Sequence, residues 1–147
     1  KDVYYSYDGY GRQSKRITNW LSSKRRIINL VIGLSAVLMY EIACVTYRPY
    51  IYSNSINDFH VADTLGNSLG TIAAVFVFLS ILGRKISDDL FLLRTVVISV
   101  FVYELAHPLL GKPIDVWDLI ATLIGGILCE IIYKWIHKRE LHSTAVF

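Results

Sequence analysis

The chain has 147 residues, 54% of them hydrophobic, a net charge of +3 at pH 7 and two cysteines. Four apolar runs, each about one bilayer thick, use up most of that length, which excludes a second folded domain and marks an integral membrane protein. The small positive charge follows from how basic residues sort across a membrane, so nucleic acid is not an expected partner.

Residues 1–26 form a basic, Tyr-rich N-terminal segment. Its first 18 or so residues are broken by glycine and too short for a core, so they are expected to be loosely ordered. Residues 17–26 read either as a short helix at the inner interface, with Trp20 at headgroup level, or as a flexible basic leader. Anionic lipid is the expected counterion for Arg12, Lys15, Arg16, Lys24, Arg25 and Arg26. The first apolar run, 27–47, is longer than a signal-peptide core of about 7–15 residues, and no small-residue cleavage site follows it. Ile42-Ala43-Cys44 is no lipoprotein box, because Glu41 stands where an aliphatic residue is needed.

The second, third and fourth runs are 64–82, 90–106 and 119–136, with 137–147 as a cytoplasmic tail. The third is short, and its Arg94 is expected to snorkel to an interface. Water cannot satisfy backbone groups within lipid, so the runs are expected to be helices. Residues 72–79 lack the two-residue alternation of a barrel strand. Arg48 and Lys112 stand alone after the first and third runs, whereas Arg84 and Lys85 follow the second and Lys134, Lys138 and Arg139 close the fourth. Loops rich in Lys and Arg stay cytoplasmic. The expected fold is therefore all-α, with four transmembrane helices as two hairpins and both termini inside.

The hairpins read as an internal repeat. Tyr40-Glu41-Ile42-Ala43 matches Tyr103-Glu104-Leu105-Ala106, and Asp63, Asn67 and Gly70 match Asp118, Thr122 and Gly125. Each half crosses twice, so the halves are parallel repeats about an axis along the membrane normal. Gly66 with Gly70, and Ala121 with Gly125, form small-residue faces that let two backbones approach closely. They are expected either to join the second and fourth helices at the centre of the bundle or to join two chains in a homo-oligomer. Cys44 and Cys129 differ in depth by roughly 10 Å at 1.5 Å per residue, so no bridge within the chain is expected. No metal-ligand spacing surrounds them, and neither a metal nor a cofactor is implied.

The polar residues of the outer leaflet are Glu41, Asp63, Asn67, Glu104, His107, Lys112, Asp115, Asp118 and Thr122. Ionisable groups inside a span cost about 2.5 kcal/mol or more, so Glu41 and Glu104 are expected to face the bundle interior and each other's hairpin. They are either a site for a cation or a cationic or amide-bearing ligand, or simply protonated and bonded to a neighbouring group. Asp63 and Asp118 stand where helix N-caps belong, with Asp115 as a loop residue or alternative cap. His107 precedes the Pro108 that ends the third helix, within reach of Glu104 one turn back, and Glu130 is expected to pair with Lys134 at i+4. No nucleophile–histidine–acid spacing is present. A dyad of Asp63 and Asp118 is sound chemistry for two acids sharing a proton, but the glycine motifs of intramembrane aspartyl proteases are missing.

Residues 103–125 resemble the VanZ-like family of small bacterial membrane proteins. Glu104, Gly111, Asp115, Asp118 and Gly125 match the family pattern, while His107, Lys112 and Thr122 stand where the family has Gln, Arg and Asn. The resemblance implies a bacterial inner-membrane protein in an envelope context; some relatives are associated with low-level teicoplanin resistance. The expected function is an acidic outward pocket that binds an envelope ligand or cation. The alternatives are an oligomeric pore or membrane-disrupting effector, and a membrane hydrolase acting on a lipid headgroup.

Overall fold

A computed structural model describes the backbone of residues 8–83 and 86–138, and within these the side chains from residue 23 onward except those of 86 and 87. Among the described residues every regular element is helical. The helices are α1 (Asp8–Val45), α2 (Tyr47–Ser53), α3 (Val61–Leu82), α4 (Ile86–Leu105) and α5 (Val116–Ile136), with a 3-10 turn at His107–Leu110. The Tyr-rich residues 1–7, the basic pair Arg84 and Lys85, the tail 139–147 and the placement of the Trp20 ring lie outside this description.

Among the described residues three segments are long and apolar enough to cross a membrane: Ser23–Ser53, Val61–Leu82 and Val116–Ile136. The helix α4 has the length of a span but carries Asp88, Asp89, Arg94 and Glu104. The apolar runs underestimate the helices at their starts. Helix α1 is continuous from Asp8, where a loose leader was expected, and α3 and α5 begin before Asp63 and Asp118 rather than after them. After a break at Thr46, α2 continues the first segment through Arg48 as far as Ser53.

Helix α3 is the central element, packed against α1, α4 and α5. The buried stripe of α1 is Asn29, Gly33, Ala36 and Tyr40, at the spacing of one helical face, with Tyr40 partly covered and the others buried. A Cβ on Gly33 would meet the Val77 side chain at 2.9 Å and the Ala73 carbonyl oxygen at 3.3 Å, so the absence of a side chain sets how close α1 and α3 come. At the other end of the pair Arg26 donates to the Gly83 carbonyl oxygen, while the Tyr40 ring lies over Gly66. These contacts make α1 and α3 antiparallel.

Helices α4 and α5 are antiparallel in the same way. Asp89 meets Tyr133, Arg94 meets Glu130, and Val97 packs on Gly126, each pair further along α4 and further back along α5. Helix α4 therefore runs the length of α5. A core of Phe76, Leu79, Leu93, Val96, Cys129 and Tyr133 sits among α3, α4 and α5. Both cysteines are free. The outward faces are apolar on every long helix, including Phe91, Ile98 and Val102 on α4. A surface of that kind fits lipid and not water.

The glycine pattern divides differently from the repeat. A Cβ on Gly125 would stand 2.9 Å from the Ser68 carbonyl oxygen and 3.3 Å from Thr71, so Gly125 makes the expected close contact between α3 and α5. Buried Ala121 lies one turn before it. The matching Gly70 is exposed with nothing within 4 Å, and Gly66 faces α1. The small surface of α3 that receives α5 is thus Ser68 and Thr71, not Gly66 and Gly70, and the Gly125 face is already taken up inside the chain.

Candidate functional site

The C-terminal ends of α1 and α4 and the N-terminal ends of α3 and α5 share one end of the bundle, and the polar residues collect there. The carboxylate of Asp58 accepts from the Ala62 backbone N–H at 2.7 Å and from the Tyr47 hydroxyl at 3.1 Å. It therefore caps α3 and ties it to α2. Asp63, expected as the cap, stands in the first turn instead, where the Tyr52 hydroxyl and His60 Nδ1 engage its two oxygens. Phe59 and His60 both have left-handed backbone (φ 57° and 64°), a conformation that costs an L-residue roughly 1–2 kcal/mol. Asp58 on one side and the His60 contacts on the other hold that strained turn.

The same correction applies to α5. Asp115 is the N-cap, its Oδ1 accepting from the Trp117 N–H at 2.8 Å, which leaves the Asp118 carboxylate free to point into the cluster. The side chain of Asn67 reaches Asp118 from α3, and Asp118 also lies within electrostatic range of His107, Asp115 and Asp63. The Trp117 indole stacks on the His60 imidazole, centroids 5.0 Å apart, linking the starts of α3 and α5 at the rim.

Glu104 forms the floor of the site. It is 5% exposed, and its Oε2 lies 3.2 Å from His107 Nδ1, the pairing expected from their spacing. The contact does not meet hydrogen-bond geometry, and Oε2 is a buried oxygen with no hydrogen-bond partner. Asp118, Asp115 and Lys112 lie near enough to act on Glu104 electrostatically. Lys112 is solvent-exposed beyond the left-handed Gly111 that ends the 3-10 turn. Thr122, one turn into α5 from Asp118, is fully buried with its Oγ1 likewise unpartnered. A buried polar atom left without a hydrogen bond costs about 1–3 kcal/mol, and Glu104 Oε2 and Thr122 Oγ1 are both such atoms.

Glu41 does not join them. It is exposed, because Tyr40 and not Glu41 falls on the buried stripe of α1. In the second hairpin the relation reverses, with Glu104 buried and Tyr103 exposed. The two glutamates thus occupy unlike environments, and the expected inward pair reduces to one inward acid. Among the described residues no group of three His, Cys, Asp or Glu side chains is arranged to hold a metal ion.

No family model, curated protein or solved structure matches this chain. Functional inference therefore rests on the residues of the site themselves. Sequence reasoning missed Asp58 and Tyr52, which shape the rim. The available signal for Asp58 was an Asp three residues before the apolar-periodic helix. Arg94 bonds Glu130 through Nε (3.1 Å) and Nη2 (2.7 Å), a pairing across helices that the sequence reading did not foresee, while Lys134 makes the expected bond to Glu130 at 2.6 Å.

Proposed function

We propose that the chain is a VanZ-like protein of the bacterial inner membrane, crossing four times with both termini cytoplasmic, whose outward acidic pocket binds an envelope ligand that presents a cationic or hydrogen-bond-donating group. Glu104 and Asp118 are the principal acceptors. Asn67 and Thr122 supply neutral hydrogen-bonding partners, Asp63, Asp115 and His107 complete the rim and floor, and Lys112 guards the mouth. The reading is carried by two buried atoms that lack hydrogen bonds, Thr122 Oγ1 and Glu104 Oε2, the latter having only the ion-pair contact with His107. An ammonium or amide donor placed there replaces two lost hydrogen bonds and offsets negative charge in a medium of low dielectric.

A fourth crossing is supported by how the charges of α4 are accommodated. Asp89 accepts from Tyr133 with Arg25 nearby, Arg94 bonds Glu130, and Glu104 lies against His107. Partnered charges cost far less in lipid than isolated ones. The distribution of Lys and Arg supports cytoplasmic termini.

Binding is tested with purified protein in neutral nanodiscs, titrated with methylammonium, spermidine and tetramethylammonium while thermal unfolding is followed. Probes that carry N–H donors stabilise the fold and tetramethylammonium, which has none, does not. Glu104→Gln and Asp118→Asn each weaken binding by about tenfold, or about 1.4 kcal/mol. Equal responses to all three probes, or variants that bind as the parent does, overturn the pocket.

A further inference from the structure

On the outer surface of the bundle α4 and α5 leave an apolar groove of about 270 Å³, lined by Leu93, Val97, Ile98, Leu123 and Ile127 with Gly126 between them. Gly126 admits Val97 so closely that a Cβ there would clash with it, which fixes the separation of the two helices beside the groove. Arg94 and Glu130 stand in the groove wall. Both Arg94 and Lys134 bond the single Glu130 carboxylate, so two cations share one acid and these three side chains together carry a net charge of +1. Arg94 is 60% exposed and faces outward from the bundle. Guanidinium and ammonium groups together hold more N–H donors than one carboxylate can accept.

Depth decides what meets that charge. Glu130 lies six residues before the end of α5 and Lys134 two, about 9 Å and 3 Å along the axis at 1.5 Å per residue. With the end of α5 taken as the headgroup boundary, Lys134 stands about 3 Å beneath it and Arg94, held by Glu130, about 9 Å beneath it, and the apolar groove leads from them toward the bilayer centre. A net charge facing acyl chains is costly, and a phosphate drawn against it removes that cost. We propose that this groove binds one anionic phospholipid of the leaflet nearest Lys134, its phosphate on Arg94 and Lys134 and an acyl chain along Val97, Leu123 and Ile127. The proposal rests on the reading that α4 crosses beside α5. A zwitterionic lipid brings an ammonium to a site that is already positive. A second copy of the chain packed symmetrically over the groove brings two positive ends together.

The test uses the full chain in nanodiscs of phosphatidylcholine with graded phosphatidylglycerol, extracted into mild detergent and weighed with its retained lipid by native mass spectrometry. The parent retains one phosphatidylglycerol with a preference of about fivefold or more, the effect of one net basic charge. Lys134→Gln leaves the Arg94–Glu130 pair intact and brings the preference close to one. Ile127→Trp fills the groove from an exposed position and lowers retention of lipid of either kind. No preference in the parent, variants that retain lipid as the parent does, or a dimer whose dissociation alone frees the groove each overturn the site. Any of these results with Ser23 and Lys138 still reached from one face of the membrane condemns the lipid site and leaves the four-crossing reading standing.

Discussion

At the scale of single residues, the end of the bundle opposite the acidic pocket shows what one hydroxyl does. Tyr133 and Asp89 are both buried, and the Tyr133 hydroxyl donates to Asp89 at 2.8 Å with Arg25 Nη1 3.7 Å away. A hydrogen bond to a charged group is worth about 1.5–3 kcal/mol, so Tyr133→Phe lowers unfolding stability by that amount, measured by denaturant titration in detergent. Tyr103→Phe is the control: Tyr103 is exposed, and its loss of a hydroxyl stays within about 0.5 kcal/mol. Equal stability in the two variants rules out the buried pair as a structural bond. The same scale shows where the sequence was legible. The spacing of Glu104 and His107, and of Glu130 and Lys134, puts each pair on one helical face whatever else packs there. The outward placing of Glu41 was not legible from its match to Glu104. Helix rotation is set by Gly33 against Val77 and Tyr40 against Gly66, and a residue one position from that stripe is turned about 100° away. The stripe Asn29, Gly33, Ala36, Tyr40 was itself in the sequence, but four chemically mixed residues form a weak signal beside an apparent repeat.

At the scale of elements, the repeat aligned Gly70 with Gly125 and implied equal roles, whereas packing gave them unlike surroundings. Spacing identifies which residues share a face but not which neighbour that face meets, and α3 has four neighbours, α1, α2, α4 and α5, competing for its surface. The contrast has opposite signs in stability. Gly125→Ala puts a Cβ against the Ser68 carbonyl oxygen, and backbone is slow to yield, so the variant loses about 1–3 kcal/mol. Gly70→Ala meets open space and gains helix propensity, up to about 1 kcal/mol. Thermal unfolding of the two variants in one detergent checks both signs. A destabilised Gly70→Ala would show that its face is covered by another chain. The ends of the helices teach a related lesson: Asp58 and Asp115 cap α3 and α5 from positions upstream of the apolar runs. Hydropathy alone starts each helix at its first long apolar stretch and so assigns the cap to Asp63 and Asp118, one turn too late. Their release from capping is what lets these two acids take part in the pocket.

At the scale of the whole molecule, everything turns on α4. Its composition withholds it from the apolar spans, yet its contacts with α5 run from Asp89 beside Tyr133 at one end to Glu104, within range of Asp118, at the other. A helix of 20 residues is about 30 Å long, the thickness of a hydrocarbon core. If α5 crosses, α4 alongside it occupies the same depth, with Phe91, Ile98 and Val102 turned to lipid and its charges turned to partners. Parity makes this measurable. Four crossings leave Ser23 and Lys138 on one face and put Ser53 and Lys112 on the other; three crossings separate Ser23 from Lys138. Single cysteines at these four exposed positions, in a chain with Cys44 replaced by Ser, are offered a membrane-impermeant maleimide on intact cells and again after permeabilisation. Ser53→Cys and Lys112→Cys label on intact cells, and Ser23→Cys and Lys138→Cys label only once the membrane is opened. Labelling of Lys138→Cys from outside would leave α4 on the membrane surface, remove Glu104 from the bundle interior, and dissolve the pocket and the lipid groove together.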